Sequence, residues 1–291
     1  IRLETSFGGG KTHNLIALYH LAQGEAARVP AAAAGLVDPD WLPATPWPVA
    51  GVVGSDMVPA NGLSHGSLTT RTLWGEIAYQ LAGEAGYAAV RASDEALVAP
   101  GTQWLERLVG DGPALIMLDE IARYLRVAKA VATANRQSDL AAQTVAFLMS
   151  LIEYAASKPR VSVVITLADP RDAFGQETEE LRQELGEAQR VSARQERVLT
   201  PTGETEISRI VTHRLFRRID GEAAAETAAA YLEYFKTLRD QEVAIPERAV
   251  RAEYADEITQ SYPFHPELLN TLNRKTATIP NFQKTRGALR L

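Results

Sequence analysis

A run of three glycines followed by lysine and threonine lies near the start of the chain, in the stretch SFGGGKTHN. A glycine-rich turn that enters a helix offers backbone N–H groups and the positive end of the helix dipole to an anion. A lysine there can reach the β- and γ-phosphates of a nucleotide, and a threonine hydroxyl can ligate Mg²⁺. The residues predicted to contact a nucleotide are Phe7, Gly8, Gly9, Gly10, Lys11, Thr12 and His13, with Thr12 also a metal ligand.

The glycine loop departs from the usual pattern at its first position. The pattern G-x-x-x-x-G-K-[ST] begins with glycine, where this chain has Thr5. That glycine serves the tight turn after a strand, and a β-branched residue with positive φ would be strained. One alternative to a phosphate-binding loop is therefore an accidental GGGKT in a flexible turn. A second alternative is a nucleotide site whose affinity Thr5 weakens.

Two adjacent carboxylates follow the most apolar strand of the chain, in the stretch LIMLDE. At the end of a strand downstream of a phosphate-binding loop, Asp119 is predicted to hold Mg²⁺. Glu120 is predicted to orient or deprotonate the attacking water. The alternative is that both carboxylates only cap the following helix.

Three further side chains are candidates for contact with the γ-phosphate. Thr166, or else Asp169, ends the strand VSVVITLAD, where a polar group can reach the phosphate or the water between the two motif strands. Threonine is also an ordinary strand residue. Arg194 and Arg286 lie in SARQERVLTP and FQKTRGALRL, and a guanidinium from a lid or a neighbouring subunit can stabilise charge on the transferring phosphate. Most surface arginines have no such role.

Continuous apolar strands alternate with helices over the first two thirds of the chain. The strands are VAGVVGSD, PALIMLDE, RVSVVITL and RVLTP, and the helices span residues 14–26, 67–87 and 140–157. Strands without polar alternation need cover on both faces, so the pattern predicts a parallel sheet between helices. Beyond Pro201 only helical patterns occur. We therefore predict an α/β domain over residues 1–201 and a small all-helical domain over 202–291.

Composition limits the class of protein. The 291 residues include 30 basic and 36 acidic ones and no cysteine, with a formal net charge of −6. This balance gives no overall attraction to nucleic acid or anionic membrane, and disulfides and cysteine-ligated zinc are excluded. No apolar run approaches the roughly 20 residues of a membrane-spanning helix. We expect a cytoplasmic protein and no membrane association, and the start at Ile1 indicates a piece of a longer chain.

In this order the motifs resemble those of AAA+ ATPases with an origin-recognition-like helical lid. GGGKT resembles Walker A, LIMLDE Walker B, VVITLAD the sensor-1 strand and TRGALRL the sensor-2 helix. More narrowly, SFGGGKTHNLIALYHL, TLWGEIAYQL, LDEIARYL, YPFHPELL and FQKTRGALRL resemble the bacterial family called domain of unknown function 499, which includes PglY-like proteins of phage-defence islands. The resemblance implies a P-loop AAA+ core with a parallel sheet between helices, a small all-helical lid, and ATP with Mg²⁺ as cofactors.

The biological role comes from this resemblance alone. It implies ATP-driven work against foreign DNA, beside a DNA methyltransferase or a nuclease-like partner. A homo-oligomer is a separate expectation, in which an arginine of one subunit, Arg194 being the candidate, reaches the next subunit's phosphate. Members of the family are longer, with further domains after the lid.

Three functions are consistent with the residues. The first is an ATPase in which Glu120 activates water. The second is a nucleotide-gated interaction module that binds ATP and barely hydrolyses it. The third, disfavoured by Arg286 in a helical lid, is a phosphotransferase with a small-molecule acceptor. A GTPase is disfavoured because no N-K-x-D motif for guanine is found.

Overall fold

The structure is a computed structural model that describes residues 1–4, 10–24, 37–134, 138–167, 179, 197–199, 206–268 and 270–271. The chain divides into two compact units, and among the described residues the first ends at Leu199 and the second begins at Glu206. The predicted boundary at residue 201 falls in the interval between them. Each unit is described on its own below.

The first unit combines seven strands with six helices among its described residues. The strands are β1 (Arg2–Glu4), β2 (Val49–Val53), β3 (Leu63–His65), β4 (Leu68–Thr70), β5 (Ala114–Asp119), β6 (Val161–Leu167) and β7 (Val198–Leu199). The helices are α1 (Lys11–Ala22), α2 (Leu73–Ala88), α3 (Arg91–Ala96), α4 (Gln103–Leu108), α5 (Ile121–Ala128) and α6 (Leu140–Ser157). The predicted helix at 140–157 is confirmed at both ends.

A five-stranded sheet in the order β2-β5-β6-β1-β7 forms the centre of this unit. Every pairing between neighbouring strands in it is parallel. The predicted α/β class with a parallel sheet between helices is therefore confirmed. Strand β6 lies between β5 and β1, so the carboxyl ends of these three strands meet at one edge.

The sheet carries helices on both faces. In β5, Ile116 and Leu118 belong to a large core with α2, α5 and α6, whereas Leu115 and Met117 belong to a smaller core that includes Leu15 of α1. Successive side chains of a strand point to opposite faces. This alternation explains why all six residues of β5 are buried, and why its sequence is continuously apolar before Asp119.

The predicted helix over residues 67–87 is wrong at its start. Residues Leu68–Thr70 form β4, which pairs antiparallel with β3, and α2 begins only at Leu73. The buried carboxylate of Asp94 accepts hydrogen bonds from the backbone N–H groups of Arg71 and Thr72 and from the Thr72 hydroxyl. These bonds satisfy the backbone outside the helix, and Thr72 then caps α2 by accepting from the N–H of Gly75.

Helix α2 also covers the outer edge of the sheet. The side-chain amide of Gln80 accepts from the N–H of Gly51 at 2.7 Å and donates to the carbonyl of Gly51 at 3.1 Å. The same amide nitrogen donates to Oε1 of the buried Glu76. Oε2 of Glu76 forms hydrogen bonds with His65 and Thr70. A short polar network therefore joins the edge strand β2, helix α2 and the β3–β4 hairpin.

Helix α6 is the one described helix that is long and apolar enough, by length and composition, to cross a membrane. It has 18 residues and a mean hydropathy of 1.3. The expectation that no apolar run approaches this length is therefore wrong. Seven of its residues are buried, among them Phe147, Leu148 and Leu151 in the core beside β6. A helix in the core of a globular domain has this same composition.

The described part of the second unit is helical, as predicted. Its helices are α7 (Glu206–Leu215), α8 (Gly221–Asp240) and α9 (Ala252–Ser261), and residues 266–268 and 270–271 are also helical. A small core joins Ala228 of α8, Ala249, and Tyr254 and Ile258 of α9. Helix α9 was not predicted from the sequence.

Candidate functional site

Helix α1 begins at the end of the glycine run. Gly10 precedes it with φ 79° and ψ 5°, a left-handed conformation that favours glycine. Gly10 has no side chain, so the N-cap residue offers no side-chain acceptor to the first-turn N–H groups. Lys11 is half-buried, whereas Thr12 and His13 are exposed. The described end of the loop therefore has the conformation and the donors that an anion requires.

Four predicted loop positions, Thr5, Phe7, Gly8 and Gly9, lie outside the described residues, as do Asp169, Arg194 and Arg286.

The Asp119 carboxylate is the centre of a buried polar cluster. Its Oδ2 accepts a hydrogen bond of 2.7 Å from the hydroxyl of Thr12, and its Oδ1 accepts one of 2.5 Å from the hydroxyl of Thr166. Asp119 is 4% exposed and Thr166 is 3% exposed. The residues come together because β1, which precedes the loop, and β5 both flank β6. The structure thus joins three side chains that were predicted from three separate motifs.

The oxygen atoms of Thr12 and Asp119 fit the requirements of Mg²⁺. This ion prefers oxygen ligands at about 2.0–2.1 Å in octahedral geometry, which separates neighbouring ligands by about 2.9 Å. The two oxygens lie 2.7 Å apart. Among the described residues no group of three or more His, Asp or Glu side chains forms a metal site. A magnesium ion held here would therefore take its other ligands from phosphate and water, as this ion commonly does.

Glu120 has an unusual backbone conformation at the end of β5. Its φ of 53° and ψ of 33° lie in the left-handed region, which is uncommon for a residue other than glycine. The N–H of Glu120 approaches both Oδ1 of Asp119, at 3.1 Å, and the hydroxyl oxygen of Thr166, at 3.2 Å. The buried cluster therefore holds this backbone in place, and strain of this kind is common at functional sites.

The Glu120 side chain leaves the cluster and contacts Arg123. Nη1 of Arg123 donates to Oε2 of Glu120 at 2.9 Å, and the two side chains are 47% and 33% exposed respectively. Glu120 occupies the N-cap position of α5, but its carboxylate accepts no hydrogen bond from a backbone N–H of the first turn. The alternative that this carboxylate only caps the helix is therefore wrong. Arg123 was not predicted from the sequence, although residues three positions apart in a helix, as Glu120 and Arg123 are, lie next to each other on its surface.

Gly54 is a second residue that the sequence analysis missed. It follows β2, and its N–H donates to the carbonyl oxygen of Asp119 at 2.7 Å. A Cβ atom at this position would lie 2.5 Å from the carbonyl oxygen of Glu120 and 3.1 Å from Cα of Ile121. The turn that presents Glu120 can therefore pack against β2 only because residue 54 has no side chain. In the sequence, the indication of this role was a glycine directly after an apolar strand.

We expect Gly54→Ala to displace the Glu120 turn, because the atoms that it meets are backbone atoms that cannot rotate away. The substitution should destabilise the protein by about 1–3 kcal/mol, the usual cost of overpacking, and should impair any activity that depends on Glu120. Thermal unfolding and steady-state turnover measure the two effects. Gly51→Ala, within β2, is the matched control, since its Cβ would meet only Cε of Met117 at 3.7 Å. Equal behaviour of the two variants would contradict the prediction.

Family comparison covers most of the chain. A model of the DUF499 N-terminal domain matches residues 50–198, and a model of the DUF499 second domain matches residues 202–291. Asp119, Glu120 and Thr166 lie within the first match, whereas the glycine run precedes it. No curated protein and no solved structure gives a significant match. The two adjoining domain matches confirm the resemblance to domain of unknown function 499, and the chain belongs to the DUF499 family.

Proposed function

We propose that this protein binds ATP with Mg²⁺ and hydrolyses it to ADP and phosphate. The observation that carries the proposal is the contact of Thr12, from the start of α1, with the buried carboxylate of Asp119 at the end of β5. A helix start preceded by glycine, a lysine, a hydroxyl and a carboxylate are together the groups that a nucleoside triphosphate and its cation need. An accidental glycine run gives no reason for this contact across 107 positions of sequence.

The strand order supports a P-loop core of the AAA+ type. Strand β6, which carries Thr166, lies between β1, which precedes the glycine run, and β5, which ends in Asp119. A polar residue between the two motif strands is what the resemblance to AAA+ ATPases implies. The resemblance implies that the helical second unit is the lid and that Arg286 belongs to its sensor-2 helix.

The proposed chemistry assigns one task to each side chain. Lys11 and the first-turn N–H groups of α1 bind the β- and γ-phosphates and orient them. Glu120 accepts a proton from the water that attacks the γ-phosphorus, while the bond to the β-phosphate oxygen breaks and ADP leaves. The Thr166 hydroxyl donates to the Asp119 carboxylate and accepts from the Glu120 N–H, so it fixes the position of these two groups relative to each other. Positioning and charge stabilisation supply most of the catalysis in phosphoryl transfer.

Thr12 and Asp119 are the residues that would hold Mg²⁺. When bound, the ion neutralises charge on the phosphate oxygens. The hydrogen bond between Thr12 and Asp119 keeps both oxygens at the required spacing before any ion arrives. Thr166, as a donor to the other carboxylate oxygen, fixes the orientation of Asp119 in the same way that outer hydrogen bonds orient metal ligands elsewhere.

The wider role follows from the family resemblance. We propose that the ATPase is the motor or switch of a bacterial anti-phage system of the PglY-like kind. It would work in the cytoplasm, on DNA, beside a DNA methyltransferase or a nuclease-like partner. In a homo-oligomer, Arg194 of one subunit would stabilise charge on the next subunit's phosphate.

Phosphate release by the wild-type protein with ATP, with and without Mg²⁺, tests the proposal. We expect multiple turnovers that depend on Mg²⁺, together with saturable binding of a fluorescent ATP analogue. Sedimentation with ADP and with ATP, carried out in parallel, reports any assembly. Binding and assembly without turnover would favour the nucleotide-gated module instead, and absence of nucleotide binding would exclude both functions.

A further inference from the structure

The backbone N–H and the side-chain carboxylate of Glu120 are held by different groups. Its backbone N–H is fixed by Asp119 and Thr166, whereas its carboxylate has a partner only in Arg123 among the residues that the structure describes. Arg123 occupies Oε2, which leaves Oε1 available to a further donor. A glutamate side chain otherwise populates several rotamers about its three rotatable bonds. The contact with Arg123 therefore favours one position of the carboxylate over the others.

Arg123 is suited to this task by its place in α5. Tyr124 and Leu125, its neighbours in the helix, are buried in the core, so the helix that carries the guanidinium is anchored to the sheet. The guanidinium of Arg123 presents several N–H donors in one plane, a geometry that matches the two oxygens of a carboxylate. The planar fork of donors also loses less freedom per hydrogen bond than a lysine does.

We propose that Arg123 is a positioning residue for hydrolysis, which holds Oε2 of Glu120 so that Oε1 faces the attacking water. The inference rests on the proposed function, because it acts through the glutamate assigned as general base. Arg123 itself touches neither the nucleotide nor the water. Its contribution is to the geometry of the reacting groups, to which catalysis is sensitive at the level of about 1 Å.

The test is a comparison of Arg123→Ala and Arg123→Lys with the wild-type protein. We expect Arg123→Ala to lower kcat by roughly 10-fold, below the roughly 100-fold that a 1 Å misplacement can cost, because the carboxylate still visits the productive position. KM and the Kd of a fluorescent ATP analogue should stay within about twofold, since Arg123 makes no contact with the nucleotide in this proposal. Arg123→Lys should recover part of the loss, because an ammonium group can still donate to Oε2.

A double substitution separates positioning from a merely structural effect. In a protein that already carries Glu120→Gln, Arg123→Ala should lower the residual single-turnover rate by less than about twofold, because a residue that acts through another loses its effect when that one is removed. A structural effect would lower both backgrounds equally. Arg126→Ala, on the same exposed side of α5 and without a contact to Glu120, is the matched control and should leave kcat unchanged.

Three results would overturn the inference. An unchanged or increased kcat in Arg123→Ala would show that the contact does not position the base, while the ATPase assignment would stand if Glu120→Gln still abolished turnover. Equal losses in both backgrounds would assign Arg123 a structural role. A wild-type protein that binds ATP without hydrolysing it would overturn the inference and the proposed hydrolysis together.

Discussion

Glu120→Gln is expected to lower the hydrolysis rate by roughly 10²- to 10⁴-fold, the range that removal of a general base produces. In energy this corresponds to an activation barrier higher by about 3–5 kcal/mol. The amide of glutamine keeps an acceptor for Arg123 and the same length, so the left-handed turn and the Asp119 cluster should persist. It cannot accept the proton of the attacking water, and that loss alone should account for the effect.

Phosphate release under single and multiple turnover measures this prediction, and binding of a fluorescent ATP analogue shows whether the site is intact. The Kd should change by less than about threefold, because the substitution touches no phosphate contact in the proposed site. Glu106→Gln is the matched control. Glu106 is an exposed carboxylate whose partner, Lys158, precedes the amino end of β6, whereas Asp119 and Glu120 lie at the carboxyl end of β5. Wild-type turnover in Glu120→Gln would remove Glu120 from the mechanism.

Lys11→Ala is expected to abolish measurable nucleotide binding. Lys11 is the first residue of α1, directly after the left-handed Gly10, so its ammonium group and the helix N–H groups act on the same anion. Loss of a hydrogen bond between charged groups costs about 3 kcal/mol, which corresponds to an affinity lower by roughly 100-fold or more. Hydrolysis should disappear with binding, in contrast to Glu120→Gln.

Titration with a fluorescent ATP analogue, followed by circular dichroism of the same samples, separates lost binding from lost folding. Lys158→Ala provides the control for removal of a lysine. Lys158 bonds to Glu106 and Asp111 before the amino end of β6, at the opposite edge of the sheet from the Asp119 cluster. Undiminished binding by Lys11→Ala would show that the loop does not hold the phosphates, whatever happens to the control.

The assembly of the site from three motifs was accessible from the sequence. Apolar runs without polar alternation predict a parallel sheet, and in such a sheet residues that end neighbouring strands meet at one edge. Thr166, near the end of β6, and Thr12, in the first turn of α1, both donate to the carboxylate of Asp119, at 2.5 Å and 2.7 Å. The strand ends and the start of α1 could be predicted from the sequence, because each depends on the length and polarity of one strand or helix.

The features that could not be predicted depend on contacts distant in sequence. Helix α2 begins at Leu73 rather than at residue 67 because Asp94, 22 residues beyond Thr72, binds the backbone before it. Gly54 matters because of its approach to the carbonyl of Glu120, which requires the pairing of β2 with β5. The left-handed conformation of Glu120 has no signal in its own sequence, since its N–H is held by acceptors that only the folded sheet brings together.

The contact between Gln80 and Gly51 has a consequence for what the sheet can recruit. The amide group of Gln80 meets an N–H and a carbonyl on the outward side of β2, as the backbone of an added strand would do. An edge strand whose outward groups are free is a template for intermolecular pairing and aggregation. Gln80 thus acts as a one-residue substitute for a sixth strand, and an extended peptide that joined this edge would first have to displace it.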